Sequence, residues 1–202
     1  MHIPYFGLIM IFVIWLTYEI RKNRRKDEMK SKNFWDRELE ASSVRRKSTD
    51  SVRFISFDSS VLPDNRTDDE VNDLCTRIMS LTDKKIADLS AYTNTDLKME
   101  YGVANFTELS EADSRFTALT PLLGKLSSYL YENNRRDEAR RLCEYSVGIG
   151  IHTSAVMMTL AKINSDLGNS GDNLRLAEIA RNDRSCQTSL TEKLEAMSKS
   201  GQ

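Results

Sequence analysis

The fold is decided by two stretches of equal length, LGKLSSYLYENNRRDEARRLCEYS at residues 123–146 and MMTLAKINSDLGNSGDNLRLAEIA at residues 157–180. In each stretch, apolar residues recur every three or four positions, stop at a polar turn and then recur again, which predicts two helices joined by a turn. A shift of 34 residues brings the leucines and small residues of the two stretches into coincidence. The coinciding pairs are Leu126/Leu160, Leu142/Leu176, Ser127/Ala161, Cys143/Ala177 and Ser146/Ala180. Because small side chains let packed helices approach closely, the pattern predicts stacked helical hairpins.

A 34-residue helix–turn–helix unit with small residues at the crossings resembles the tetratricopeptide repeat. The resemblance covers roughly a third of the chain, and generic helical hairpins are the alternative. The chain departs from the motif at Asn164, where the motif favours an aromatic residue, and at Asn173, where it favours alanine. No proline closes either repeat.

The resemblance implies a concave groove that receives an extended or helical peptide of a protein partner. In this register, the candidate groove residues are Ser128, Tyr131, Glu132, Met158, Lys162, Ser165 and Asp166.

Further helices are expected on both sides of the two repeats. Helical periodicity at 68–89 and 96–112 predicts a degenerate preceding hairpin, which would give the three units that such a stack generally needs. Thr67 has the spacing of a capping box with Glu70 ahead of the first of these helices. Residues 51–58 are rich in β-branched and aromatic side chains, which favours an extended segment.

The amino end carries IPYFGLIMIFVIWLTY at residues 3–18, a run without a charge. As a helix this run is about 24 Å long, and aromatic residues lie near both ends, as is typical of a membrane-spanning helix. Three alternatives are a cleaved signal peptide, a buried core helix and an interfacial helix. They are disfavoured because the charges follow the run, no small-residue cleavage site is present, and no polar face is seen.

Seven cations follow the apolar run within twelve residues: Arg21, Lys22, Arg24, Arg25, Lys26, Lys30 and Lys32. Cations next to a span stay on the cytoplasmic side, so the amino terminus is expected outside a cell membrane that the chain crosses once. The same cations are expected to contact anionic lipid. Nucleic-acid binding is the rival interpretation, and the adjoining span makes it unnecessary.

These patterns predict an all-α chain with four parts: a transmembrane anchor at 1–20, a basic juxtamembrane linker at 21–60, a helical-hairpin domain at 61–182 and a tail or capping helix at 183–202. The charge is divided unevenly, because the near-neutral total of −1 combines a basic linker with an acidic remainder.

Little in the composition points to catalysis. The chain has three widely spaced cysteines and two histidines, with no C-x-x-C pair. It also lacks the glycine-rich phosphate loops and the G-x-S-x-G nucleophile motif. The sequence therefore predicts a non-enzyme without catalytic residues, metal, cofactor or small-molecule substrate.

A second resemblance comes from FWDRE at 34–38 and NTDLKMEYG at 94–102. Both segments resemble an uncharacterised group of bacterial single-pass membrane proteins, which implies a setting and no activity.

Three functional hypotheses follow, of which an enzyme of unfamiliar type is the least favoured. In the first, the chain is a membrane-tethered adaptor whose helical domain binds a protein partner in the cytoplasm. In the second, it is a small accessory subunit of a membrane complex, and the transmembrane helix itself makes the specific contact.

Overall fold

The computed structural model describes residues 3–64, 68–183, 186 and 188–199. The side chains of residues 3–6, 8, 25 and 26 are not among those described. The described part is built almost entirely of α-helices, as the sequence predicts. These are α1 (Ile3–Ser43), α2 (Asp69–Thr82), α3 (Asn94–Tyr101), α4 (Val103–Glu132), α5 (Arg136–Gly148), α6 (Ser154–Asp166), α7 (Asp172–Asn182) and α8 (Thr188–Lys199). Two short strands, β1 (Phe54–Ile55) and β2 (Ile86–Ala87), and one turn of 3-10 helix (Ser59–Val61) complete the secondary structure of the described part.

The helices are divided between two compact units. Unit 1 is Met1–Thr49 with Tyr92–Thr107, and unit 2 is Asp50–Ala91 with Glu108–Gln202. The sequence assigns α3 to the hairpin domain at 61–182, whereas in the structure α3 belongs with α1. The two helices are joined by polar contacts between residues that lie far apart in the chain. Helical periodicity does not reveal such contacts.

In unit 1, α1 is one uninterrupted helix of 41 residues. It carries the apolar run and the basic stretch on a single axis about 60 Å long. The large apolar side chains between Ile9 and Tyr18 are exposed. Among the residues whose side chains are described, which omit most of the first turns of α1, no helix is long and apolar enough to cross a membrane.

Unit 2 has one apolar core, to which α2 and α4 to α8 all contribute. Its largest fully buried side chains include Ile78, Leu123, Leu126, Leu142, Met157 and Ile163. The helix α8 packs on α6 and α7 and covers the last hairpin.

The turns of the hairpins lie where the sequence places them. Asn134 takes a φ of 59° between α4 and α5, and Gly168 takes a φ of 75° between α6 and α7. Glycine and asparagine are the residues that tolerate this left-handed conformation best, which explains why the helices end there. The six small residues of the repeat are all buried: Ser127, Cys143, Ser146, Ala161, Ala177 and Ala180.

The segments before the repeats differ from the predicted hairpin. Asp68 caps α2 by accepting hydrogen bonds from the amides of Glu70 and Val71, and Thr67 lies outside the described residues. The helix ends at Thr82, and Ile86 enters β2, which pairs with β1 in an antiparallel ladder. The extended segment expected at 51–58 therefore pairs with residues that the sequence assigned to the helical stretch at 68–89.

Candidate partner-binding surfaces

The predicted groove lies on the face where α4 packs beside α6 in unit 2. Tyr131 near the end of α4 donates a hydrogen bond from its hydroxyl to Asp166 Oδ2, at 3.0 Å. Arg136 Nη2 lies 3.3 Å from the same oxygen. The charged groups of Arg136 and Lys162 each lie 5.9 Å from the centre of the Tyr131 ring, in cation–π range. Three of the predicted residues, Tyr131, Lys162 and Asp166, are thus brought together.

Ser128 and Met158 occupy the same helices further from the turn. The Ser128 hydroxyl lies 3.3 Å from the Thr159 hydroxyl and joins α4 to α6. Met158 is half-buried and packs against the apolar core. The helices approach closely here because Gly124 has no side chain, and a Cβ at that position would lie 2.8 Å from the Ala155 Cβ.

Ser165 and Glu132 are placed differently from the others. The Ser165 hydroxyl donates to Ala161 O and accepts from the Asn173 amide, so it is engaged inside the α6–α7 hairpin. Glu132 is exposed at the last position of α4.

The electrostatics of the groove keep the Tyr131 hydroxyl protonated. Partial burial and the hydrogen bond to Asp166 both raise the pKa of Tyr131, and the charge of Arg136 opposes them. The phenol therefore remains a neutral donor at physiological pH. This face thus presents an aromatic ring, two cations and a carboxylate.

Arg136 contacts this cluster although the sequence did not predict it, whereas Thr159, which lies against Ser128, is buried. The arginine lies in a run of charges at the start of α5 that a solvated face explains equally well. Its position beside Tyr131 depends on the turn at Asn134, so only the tertiary structure reveals it.

The two departures from the repeat motif contact each other. Asn164 and Asn173 are both buried, and Asn164 Nδ2 donates to Asn173 Oδ1 at 3.1 Å. Asn173 Nδ2 donates to Ala161 O at 3.2 Å and to the hydroxyl of Ser165. A polar pair thus replaces the aromatic–alanine contact that the motif favours, and it links α6 to α7.

The basic stretch lies wholly on α1. Arg21, Lys22, Arg24, Lys30 and Lys32 are exposed, and the side chains of Arg25 and Lys26 lie outside the described ones. Two of the cations form ion pairs along the helix, Lys22 with Glu19 at 3.6 Å and Arg24 with Glu28 at 3.1 Å. Because the helix is continuous through this stretch, the seven cations are spread over about 17 Å along its axis.

A junction between α1 and α3 was not predicted as a site. It consists of Arg37, Glu38, Thr95, Asp96 and Lys98. Arg37 Nη2 lies 2.6 Å from Asp96 Oδ1, the Thr95 hydroxyl donates to Glu38 Oε2 at 2.8 Å, and Lys98 forms an ion pair with Glu38. Each pair joins one member of FWDRE to one member of NTDLKMEYG, so the two segments that carried the second resemblance are in contact.

The chain that leaves α1 completes the junction. Lys47 N donates to Tyr101 O at 3.0 Å, and the buried Asn105 amide donates to the carbonyls of Lys47 and Tyr101. Gly102 separates α3 from α4 with a φ of 83°, and a Cβ there would collide with the Arg45 carbonyl. Glycine is therefore required at this position.

In the described part of the chain, no group of three or more His, Cys, Asp or Glu side chains could hold a metal ion. Comparisons of the chain with protein-family models, with curated proteins and with solved structures find no match.

Proposed function

We propose that the chain is a membrane-tethered adaptor, with α1 as a single-pass anchor and unit 2 as a cytoplasmic domain that binds a protein partner. The anchor is supported by the apolar run at 3–18. A helix that is apolar all round is either buried in a core or embedded in a membrane. Between Ile9 and Tyr18 its large side chains are exposed to solvent, so no core of this chain covers them.

The orientation is part of the proposal. The seven cations directly after the run favour a cytoplasmic position for everything from Arg21 onward. Anionic lipid is the proposed ligand of the cations nearest the span.

We also propose that the hairpins of α4 to α7 are tetratricopeptide-like and that their α4–α6 face binds the partner. The observation that carries this proposal is the cluster of Tyr131, Lys162 and Asp166, in which a ring, a cation and a carboxylate converge on a partly exposed face. Buried small residues at the crossings and the helix–turn–helix order agree with the same fold. No catalytic role is proposed.

The groove is tested by recovery of partners on the full chain in detergent, followed by mass spectrometry. Tyr131→Ala with Lys162→Ala is expected to reduce recovery of a specific partner at least tenfold, since aromatic and charged residues dominate binding energy. Tyr131→Phe keeps the ring and removes only the bond to Asp166, so it is expected to retain most of the binding. The matched control is Glu178→Ala, an exposed change on α7. Recovery that is equal for all four proteins would contradict the groove assignment.

The alternative of an accessory subunit is supported by the same exposed apolar segment of α1, because its whole surface is accessible to a neighbouring helix. Replacing residues 3–20 by an unrelated span distinguishes the two functions. An adaptor keeps its partner after the exchange, whereas a subunit that docks through its span loses it.

A further inference from the structure

One face of α1 beyond the apolar run is uncovered. This stalk face consists of residues spaced three or four apart along the helix: Arg21, Arg24, Glu28, Lys32, Trp35 and Leu39. Trp35 is 64% exposed and Leu39 is 74% exposed. Leu39 and the fully buried Ala41 are two residues apart, about 200° around the helix axis, so Leu39 faces away from α3.

Lipid does not account for the exposed apolar residues. Because α1 is continuous, Trp35 lies about 22 Å and Leu39 about 28 Å along the axis from Ile20 at the end of the span. Even a tilt of about 40° leaves both beyond the headgroup layer, which is only about 5–8 Å thick on each side. Lipid is therefore not the occupant of this part of the face.

A second copy does not fit either. Two anchored copies of the chain would stand parallel and bring the same residues to the same height. The stretch 21–32 carries seven cations and only two acids, Asp27 and Glu28. Two such stretches side by side repel each other, because like charges at helix-pair distances are destabilising.

We infer that the stalk face binds an acidic amphipathic helix of another protein. The partner's carboxylates would pair with Lys32, which lies about 18 Å along the axis from Ile20 and beyond the cations assigned to lipid, and its apolar residues would cover Trp35 and Leu39. An α-helix is the shape that fits, since a helix of matching length can follow both the charged and the apolar part of a straight helix face. The inference rests on the anchored arrangement proposed above and adds a second surface to the groove of unit 2.

The test uses the full chain in nanodiscs of phosphatidylcholine, which offer no anionic lipid. Trp15→Phe leaves Trp35 as the only tryptophan, since the chain has two. The probes are three synthetic helical peptides: one with leucines on one face and glutamates on the other, one with lysines in place of the glutamates, and one with serines in place of the leucines. Binding is read from the emission of Trp35 and from the anisotropy of a label on the peptide.

The glutamate–leucine peptide is expected to bind and to shift Trp35 emission to the blue. Either altered peptide is expected to bind at least tenfold more weakly. Leu39→Ala and Lys32→Glu are each expected to weaken binding on the order of tenfold. Met29→Ala is the matched control, because Met29 is 65% exposed on the same helix about 120° away from Trp35.

Equal binding of the three peptides, or equal effects of Met29→Ala and Leu39→Ala, would overturn the inference. Quenching of Trp35 by brominated lipid would identify lipid as the occupant, and a disulfide between copies of a Leu39→Cys variant would identify a second copy. Both results also overturn it. Failure of the proposed function is seen separately. A chain that is not anchored is released from membranes, and Tyr131→Ala, which tests the groove of unit 2, is expected to leave the peptide isotherm unchanged.

Discussion

Asn164 and Asn173 determine how α6 packs on α7, although neither residue fits the repeat. The Asn164 amide donates to Asn173, and the Asn173 amide donates in turn to the α6 residues Ala161 and Ser165. Breaking such a pair lowers the stability of the fold, because a buried amide that loses its hydrogen-bond partner stays desolvated without compensation.

Asn173→Ala is therefore expected to lower the free energy of unfolding by about 1–3 kcal/mol. The double change Asn164→Leu with Asn173→Ala removes both polar groups and is expected to recover most of that loss. Urea unfolding of the full chain in detergent, followed by circular dichroism, measures both. A double variant that is no more stable than Asn173→Ala would contradict the role given to the pair.

The three cysteines are expected to differ in reactivity because their surroundings differ. Burial raises the pKa of the Cys143 thiol to about 12, and burial also raises the pKa of Cys75. Thiolates are the reactive form, so both should resist alkylation at pH 8. Cys186 is partly exposed and should react first. Mass spectrometry after timed alkylation checks the order, and rapid modification of Cys143 in the folded chain would contradict the buried crossing of α4 and α5.

The elements show what local sequence can reveal. The hairpins of α4 to α7 were predictable because periodicity and turn residues are local signals, as at Asn134 and Gly168. The pairing of β1 with β2 and the docking of α3 on α1 were not, since both join residues more than 30 positions apart. Three of the seven predicted groove residues form one cluster, because the helices that carry them were predictable. The position of Arg136 beside that cluster and the inward orientation of Ser165 depend on tertiary packing, which local sequence does not reveal.

Gly102→Ala is expected to disrupt the junction of α1 and α3. A side chain at a φ of 83° is strained, and it would collide with the backbone of Arg45. A loss of about 2 kcal/mol or more is expected, visible as faster hydrogen exchange of the α3 amides. Gly148→Ala is the matched control, since no atom lies within 4 Å of a Cβ there. Equal exchange in the two variants would contradict the tight contact at Gly102.

The junction is also expected to loosen in acid. Hydrogen bonds from Lys98 and Thr95 lower the pKa of Glu38, and those from Thr93 lower the pKa of Asp96, with a smaller contribution from Arg37. A lowered folded-state pKa stabilises the fold above the ordinary carboxylate pKa of about 4, and the stabilisation is lost as the pH falls further.

Protection of the α3 amides, corrected for intrinsic exchange rates, should therefore be constant from pH 7 to 5 and fall between pH 4 and 2. Glu38→Gln with Asp96→Asn should flatten that dependence. A wild-type profile that is as flat as that of the double variant would exclude the two carboxylates as its cause.

The whole molecule is proposed to combine an anchor, a stalk and a binding domain. One continuous helix carries the apolar run, the cations and the stalk face, so the position of each along the axis is fixed by the helical rise. Unit 2 adds helical hairpins that carry the proposed groove. Binding on the stalk face would hold a partner at a distance from the membrane that the helical rise of α1 defines.

The most direct measurement is protease protection of an epitope at the carboxyl end in sealed vesicles that have been washed at alkaline pH. The anchored arrangement predicts that the protein stays with the vesicles after the wash. It also predicts cleavage of the epitope in inside-out vesicles and its protection in right-side-out ones. Release of the protein by the wash, or cleavage in right-side-out vesicles, would contradict it.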